Sequence, residues 1–239
     1  MSELEGCALV TGAARGIGAA IVRTLAAAGR DVVINHTSET SARAAAELQA
    51  EVEGRYGVAA LVVRADVSDF EEAHRLVEAS IERFGHIAVL VNNAGSAYYG
   101  LHEELSPKKI QEMVRTDLEV PMILSQQLLR GFKKNKGCIV NIASVTAQQS
   151  NPHGCAYGAV KAGLASFSCS LFDEARKYGV RVATVSPDMT KTELYRNADF
   201  TVGEETESYL LPQDVAEAVA YIVGQREGVA VSEVTLRPQ

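Results

Sequence analysis

Short apolar runs alternate with longer amphipathic stretches along nearly the whole chain. Cys7–Val10 is such a run, and residues 31–35, 59–64, 87–91, 138–143, 180–185 and 232–237 repeat it. Apolar runs this short, bounded by polar residues or glycine, predict strands buried in a sheet. Between them the spacing turns helical, over residues 19–28, 38–56, 69–84, 107–132, 156–178 and 212–223. Gly29 stops the first helix, Ser38 or Ser41 caps the second, and Ser68 or Asp69 caps the third. Pro107 opens the long fourth helix, and Pro121 inside it predicts a kink. Strand alternating with helix is the signature of an α/β fold with a parallel sheet.

The bulk properties narrow the class. The chain has 239 residues, 47% apolar and 22% charged, with a net charge of −7. That suits one large α/β domain over residues 1–239 or two small ones, and no internal repeat or linker appears. The negative charge lacks the footprint of a nucleic-acid binder. No apolar run is long enough to cross a bilayer, and the acidic N-terminus running straight into a strand does not read as a signal peptide. Cys7, Cys138, Cys155 and Cys169 lie far apart, three in apolar or small-residue surroundings, with no metal-ligand spacing. Reduced, buried thiols and a cytoplasmic protein without a bound metal are expected.

Candidate chemistry sits at the carboxyl ends of the strands. Thr11-Gly-Ala-Ala-Arg-Gly-Ile-Gly18 follows the first strand and opens a helix, the context a phosphate-binding loop requires. Gly12 permits a tight turn, Gly16 lets the backbone approach a pyrophosphate, and Gly18 lets the helix pack on the strand. After the second strand, where a carboxylate would read a ribose 2′-hydroxyl, stands Asn35-His36-Thr37-Ser38, with no acidic residue before Glu39. Arg15, His36 and the hydroxyls suit a 2′-phosphate, which favours NADP(H) over NAD(H). Asp66 ends the third strand, either as an acceptor for adenine or as a turn residue. Asn92-Asn-Ala-Gly95 ends the fourth, where small residues let a cofactor lie on the backbone and the Asn side chains can bridge strands; a plain turn reads equally well.

Ser144 ends the fifth strand, and Tyr157 and Lys161 stand one turn apart on one helix face. An ammonium beside a phenol is expected to lower the phenol's pKa toward the working pH and make it a general acid/base. Leu164, Phe167, Leu171 and Phe172 lie farther along this helix, need cover, and suggest a subunit interface. Residues 189–211, acidic and weakly patterned, suit a mobile substrate lid.

These residues together, in order and separation, resemble the short-chain dehydrogenase/reductase family over almost the whole chain. The end, Val231-Ser-Glu-Val-Thr-Leu-Arg-Pro238, is similar to its NADP-dependent broad-specificity reductases. The resemblance implies a Rossmann-type, doubly wound domain with a seven-stranded parallel sheet and helices on both faces. It implies Tyr157 as proton donor to a carbonyl, Ser144 holding that oxygen, and Lys161 on the nicotinamide ribose. It also implies cofactor contacts from Gly12, Arg15, Gly16, Ile17 and Gly18, from His36, Thr37, Asp66 and Val67, from Asn93, Ala94 and Gly95, and from Pro187, with Thr192 on the carboxamide. A dimer or tetramer built through the two long helices would follow. Two positions depart from the family. Asp117 stands where an Asn is usual, so a carboxylate would lie near Lys161, and Asp188 replaces the Gly after Pro187, where an altered backbone is expected.

The reading is an NADPH-dependent ketone or aldehyde reductase. A 3-oxoacyl-carrier-protein reductase is the enzymatic rival, with Arg130, Lys133, Lys134 and Lys136 either docking an acidic carrier or forming a solvated helix end. A catalytically idle, cofactor-sensing protein is a rival of another class. Ser96, Tyr98, Tyr99, His153, Cys155, Tyr195 and Tyr209 are placed around the substrate by analogy.

Overall fold

A computed structural model describes residues 5–198, 203 and 205–239. Seven strands form one parallel sheet: β1 Cys7–Val10, β2 Val32–His36, β3 Ala60–Arg64, β4 Ile87–Asn92, β5 Cys138–Ile142, β6 Arg181–Pro187 and β7 Glu233–Leu236. Their order is β3-β2-β1-β4-β5-β6-β7. The direction of winding reverses at β1, so the loops leaving β1 and β4 diverge and open a crevice at the strands' carboxyl ends.

Both faces of the sheet are covered, which is why its strands read as continuous apolar runs. Successive β1 side chains point to opposite faces. Ala8 and Val10 join a core with α1 (Gly16–Ala27), α2 (Glu39–Tyr56) and α7 (Pro212–Val223). Cys7 and Leu9 join a second core with α3 (Phe70–Phe84), α5 (Val120–Asn135) and α6 (Cys155–Ala175).

Several boundaries differ from expectation. Helix α1 starts at Gly16, because the end of the glycine loop is already its first turn. Ser38 occupies the N-cap of α2 without a side-chain cap bond, whereas Asp69 caps α3 by accepting the Glu72 N–H at 2.9 Å. The long fourth helix is broken before its proline. Helix α4 (Pro107–Val114) runs into a π-helical turn, Arg115–Glu119, and α5 follows. Pro121 has no N–H for the carbonyl four residues back, that of Asp117, and its ring crowds it. The irregularity therefore lies upstream of the proline.

Three further expectations are corrected. Leu164 and Leu171 are buried within the chain, whereas Phe167 and Phe172 pack against its second core and stay half-buried, so only the two leucines need no further cover. Only Cys7 and Cys138 are buried thiols, raised by burial to about 12 and about 11; Cys155 and Cys169 are exposed. Asp188 does not have a positive φ, and its N–H reaches Leu236 O at 2.9 Å, so aspartate sits there without strain.

Residues 199–202 and 204, within the expected lid, lie outside the described residues. The base of that segment is pinned: Thr190 bridges Leu210, and the Lys191 and Leu210 N–H groups reach Leu210 O and Met189 O, each at 2.8 Å. Among the described residues no helix is long and apolar enough to cross a membrane.

Candidate active site

The glycine loop is held from both sides before any ligand is considered. Asn35, fully buried, accepts the Gly12 N–H at 3.2 Å and donates to Ala65 O at 3.0 Å. Thr11 Oγ1 accepts the Asn93 and Ala94 N–H groups, each at 3.0 Å. Asn93 Nδ2 donates to Thr11 O and Gly12 O at 2.9 and 3.1 Å, and Asn92 Nδ2 donates to Asn141 Oδ1 at 2.7 Å, so both Asn side chains bridge strands. Gly12 has φ +61, and a Cβ there would lie 2.9 Å from Ala94 Cα. A Cβ on Gly18 would lie 2.5 Å from Gly12 O, which makes it the close-packing glycine behind the cleft.

A cleft of about 770 Å³ runs across these strand ends. Gly12, Arg15, Gly16 and Ile17 line one side, with His36, Thr37, Asp66 and Val67 at one end. Asn93, Ala94, Gly95 and Pro187 form its middle, and Thr192 reaches over the glycine loop. At the first end His36 is buried, its Nδ1 near Ser38 O and Ser41 Oγ at 3.1 and 3.3 Å. Glu39, the first carboxylate after β2, is paired with Arg64 and does not line the cleft. Asp66 lines it while its Oδ1 accepts the Ser68 N–H, the bond of a turn residue.

At the other end the cleft brings Ser144, Tyr157, Lys161 and Asp117 together, all four buried. Ser144 leaves β5 and its Oγ accepts the Thr146 N–H at 3.2 Å. Tyr157 and Lys161 share one face of α6, with the ammonium 5.6 Å from the ring centroid. Lys161 Nζ donates to Ile142 O at 3.0 Å and lies 3.0 Å from Asp117 Oδ2. Asp117 Oδ1 accepts the Ser96 N–H at 2.8 Å. Burial keeps the Asp117 carboxyl above its usual value, Lys161 and the Ser96 N–H pulling against it and Glu112 adding to the rise.

The expected lowering of the Tyr157 phenol by Lys161 is not what this arrangement produces. Burial pushes the phenol well above its usual value. Tyr99, Asp117 and Tyr195 push the same way, and a hydrogen bond with Ser144 acts against them. The ammonium is already engaged by a carboxylate, so little of its charge reaches the ring.

Of the residues placed around a substrate, Ser96 and Tyr195 line the cleft. Tyr99 stands behind them, its ring 5.6 Å from Tyr157 and 6.1 Å from Tyr195. Tyr98 donates to Glu112 at 2.9 Å; His153, Cys155 and Tyr209 do not line the cleft. Glu112, Ser41 and Lys191 line it unannounced. On the sequence Glu112 reads as one more polar position on a helix surface.

A family model described as short chain dehydrogenase matches residues 6–201. An uncharacterized oxidoreductase of Staphylococcus epidermidis is 31% identical over 98% of this chain and 97% of its own. A 3-oxoacyl-[acyl-carrier-protein] reductase of Vibrio cholerae is 34% identical over 97% and 95%. Among solved structures, an alcohol dehydrogenase from Thermococcus sibiricus complexed with 5-hydroxy-NADP superposes with a TM-score of 0.88 at 28% identity, over 98% of this chain and 97% of that one.

Proposed function

The chain belongs to the short chain dehydrogenase family, and from that premise we propose that it is an oxidoreductase reducing a small ketone or aldehyde with NADPH. The observation that carries this is the convergence of Ser144, Tyr157 and Lys161 on one cleft whose other end is a glycine-lined trough.

The trough fits a dinucleotide. Side chains at Gly12 and Gly18 would fill the turn that lets backbone approach a pyrophosphate, and the N-terminus of α1 favours its charge. Arg15, His36, Thr37 and Ser41 offer a cation, a ring nitrogen and hydroxyls at the adenosine end; Asp66, which follows β3, lies at the same end, but no carboxylate follows β2 before Glu39, which does not line the cleft. That donor set supports a 2′-phosphate, and the Thermococcus relative's 5-hydroxy-NADP is in keeping with it. Bound NADPH would supply the hydride. The remaining work falls to this chain: Ser144 Oγ holds the carbonyl oxygen, Tyr157 gives it a proton, and Lys161 orients the ribose.

A second reading, reduction of a 3-oxoacyl group on a carrier protein, is favoured by the Vibrio relative. The basic residues proposed to dock an acidic carrier are partly engaged, Lys133 with Glu174 at 3.2 Å and Lys136 with Glu227 at 3.0 Å, which weakens it. A panel of ketones, aldehydes and an acyl-carrier substrate, followed by the absorbance of reduced nicotinamide, tests both. No consumption of NADPH across the panel would leave the cofactor-sensing alternative.

A further inference from the structure

Asp117 is a carboxylate with 1% exposure, set in the floor of a catalytic cleft. It stands in the π-helical turn between α4 and α5, where Pro121 interrupts regular helix bonding. Its two oxygens are used separately: Oδ1 takes the Ser96 N–H at 2.8 Å, and Oδ2 faces Lys161 Nζ at 3.0 Å. Room for it is made by Gly95, where a Cβ would stand 2.8 Å from Oδ2. Lys161 in turn reaches Ile142 O at the end of β5. One carboxylate therefore joins the π turn, the loop after β4, helix α6 and strand β5.

The consequence lies in the charge balance around Tyr157. A lone ammonium nearby would favour the phenolate, whereas an ammonium tied to a carboxylate presents a near-neutral pair. The other groups around the ring do not restore the lost charge. Tyr99 from the loop after β4 and Tyr195 from the segment after β6 both disfavour the phenolate. Glu112 of α4 acts on Asp117 and is engaged by Ser96 Oγ at 3.0 Å and by Tyr98. Asp188 acts on Tyr195, and Lys191 is turned to the Tyr209 hydroxyl at 3.3 Å. Ser144, by hydrogen bonding, favours the ionised ring.

We propose that Asp117 is a positioning residue that neutralises Lys161 and so keeps the Tyr157 hydroxyl protonated, making Tyr157 available as an acid over a wider pH range and less available as a base. The proposal rests on the reductase reading above and deepens it: the site is set for protonating a carbonyl oxygen. Removing the carboxylate releases the ammonium and withdraws a repulsive charge, and both changes favour the phenolate.

The test is an optical titration of Tyr157 in the cofactor-free protein, which needs no turnover. Phenolate absorbance is followed in the wild type and in Asp117→Asn, each corrected by its own Tyr157→Phe counterpart. The expected result is a Tyr157 titration above the ordinary phenol value of about 10 in the wild type, moved down by about one pH unit or more in Asp117→Asn. An unchanged or raised titration in the variant overturns the proposal. So does a wild-type value below about 10, which decides the matter even if the variant fails to fold. In an active enzyme the acid limb of alcohol oxidation moves down by the same amount. A shift without any carbonyl reduction would sink the functional reading and leave the Asp117 coupling intact; turnover without the shift would do the reverse.

Discussion

Arg15 in the glycine loop and Glu193 after β6 form a 2.9 Å ion pair, although the two residues are 178 positions apart. Both side chains are more than half exposed, at 58% and 69%, so the pair adds little to stability. Its interest lies in where Arg15 is held. The guanidinium borders the end of the cleft assigned to the 2′-phosphate, and Glu193 competes for it. Arg15→Ala should raise the KM for NADPH about tenfold, the scale of one lost charge-assisted hydrogen bond, while changing that for NADH much less. Glu193→Gln should lower the KM for NADPH. Steady-state kinetics with both cofactors checks this, and equal losses for NADPH and NADH would rule out a phosphate contact.

Tyr157→Phe removes only an oxygen, from a ring that is 4% exposed and packed beside Tyr99. The fold and the trough should survive the change. Turnover should fall by at least about 10²-fold, the usual scale of general acid catalysis. Ser144→Ala should lose less, because the cleft keeps the proton donor. Quenching or enhancement of reduced-nicotinamide fluorescence would show cofactor binding retained in both. Near-wild-type turnover in Tyr157→Phe removes the proposed mechanism.

What could be read beforehand was whatever lies close in sequence. The glycine loop, the Asn92–Gly95 turn and the Tyr157–Lys161 spacing each declare themselves within a few residues, because a strand end or one helical turn fixes their relation. The sheet followed from apolar runs that both covered faces impose. Through-space partners were hidden. Nothing local to Asp117 says that its oxygen meets Lys161; only the resemblance placed a carboxylate there, and the expectation of a lowered Tyr157 failed chiefly because the ring is buried, with Tyr99 and Asp117 adding to the effect. Glu112 was silent because a helix surface position looks the same whether water or a cleft lies beyond it. The π turn was displaced from Pro121 because a proline perturbs the carbonyl behind it more than its own position.

Two glycines separate packing from chain entropy. A methyl on Gly18 would meet Gly12 O at 2.5 Å and Asn93 Nδ2 at 2.6 Å, and backbone carbonyls do not move cheaply. Gly18→Ala should cost about 1–3 kcal/mol and weaken cofactor binding, since the same atoms shape the glycine turn. Gly54, inside α2, has nothing within 4 Å of the added methyl and no positive φ. Gly54→Ala should stabilise by about 0.5–1 kcal/mol through helix propensity and a less disordered unfolded chain. Urea unfolding of the pair checks both signs.

Asn141 carries a buried ladder between the sheet and α6. Its Oδ1 accepts Asn92 Nδ2 at 2.7 Å, its Nδ2 donates to Ser168 Oγ at 2.8 Å, and Ser168 passes the chain to Leu164 O at 2.7 Å. Asn92, Asn141 and Ser168 are all at most 3% exposed, so water does not replace a lost partner. Asn141→Leu keeps the volume but orphans Asn92 Nδ2, in a residue whose Oδ1 already has no partner among the described residues. That change should cost about 2–3 kcal/mol, the desolvation penalty of unsatisfied groups added to the lost bonds. If the penalty comes from the orphaned amide, removing that amide as well should recover part of it. Asn92→Leu combined with Asn141→Leu should then be less destabilising than the two single changes added together, a coupling that urea melts of the four proteins measure directly. Strict additivity would mean that the ladder contributes packing alone.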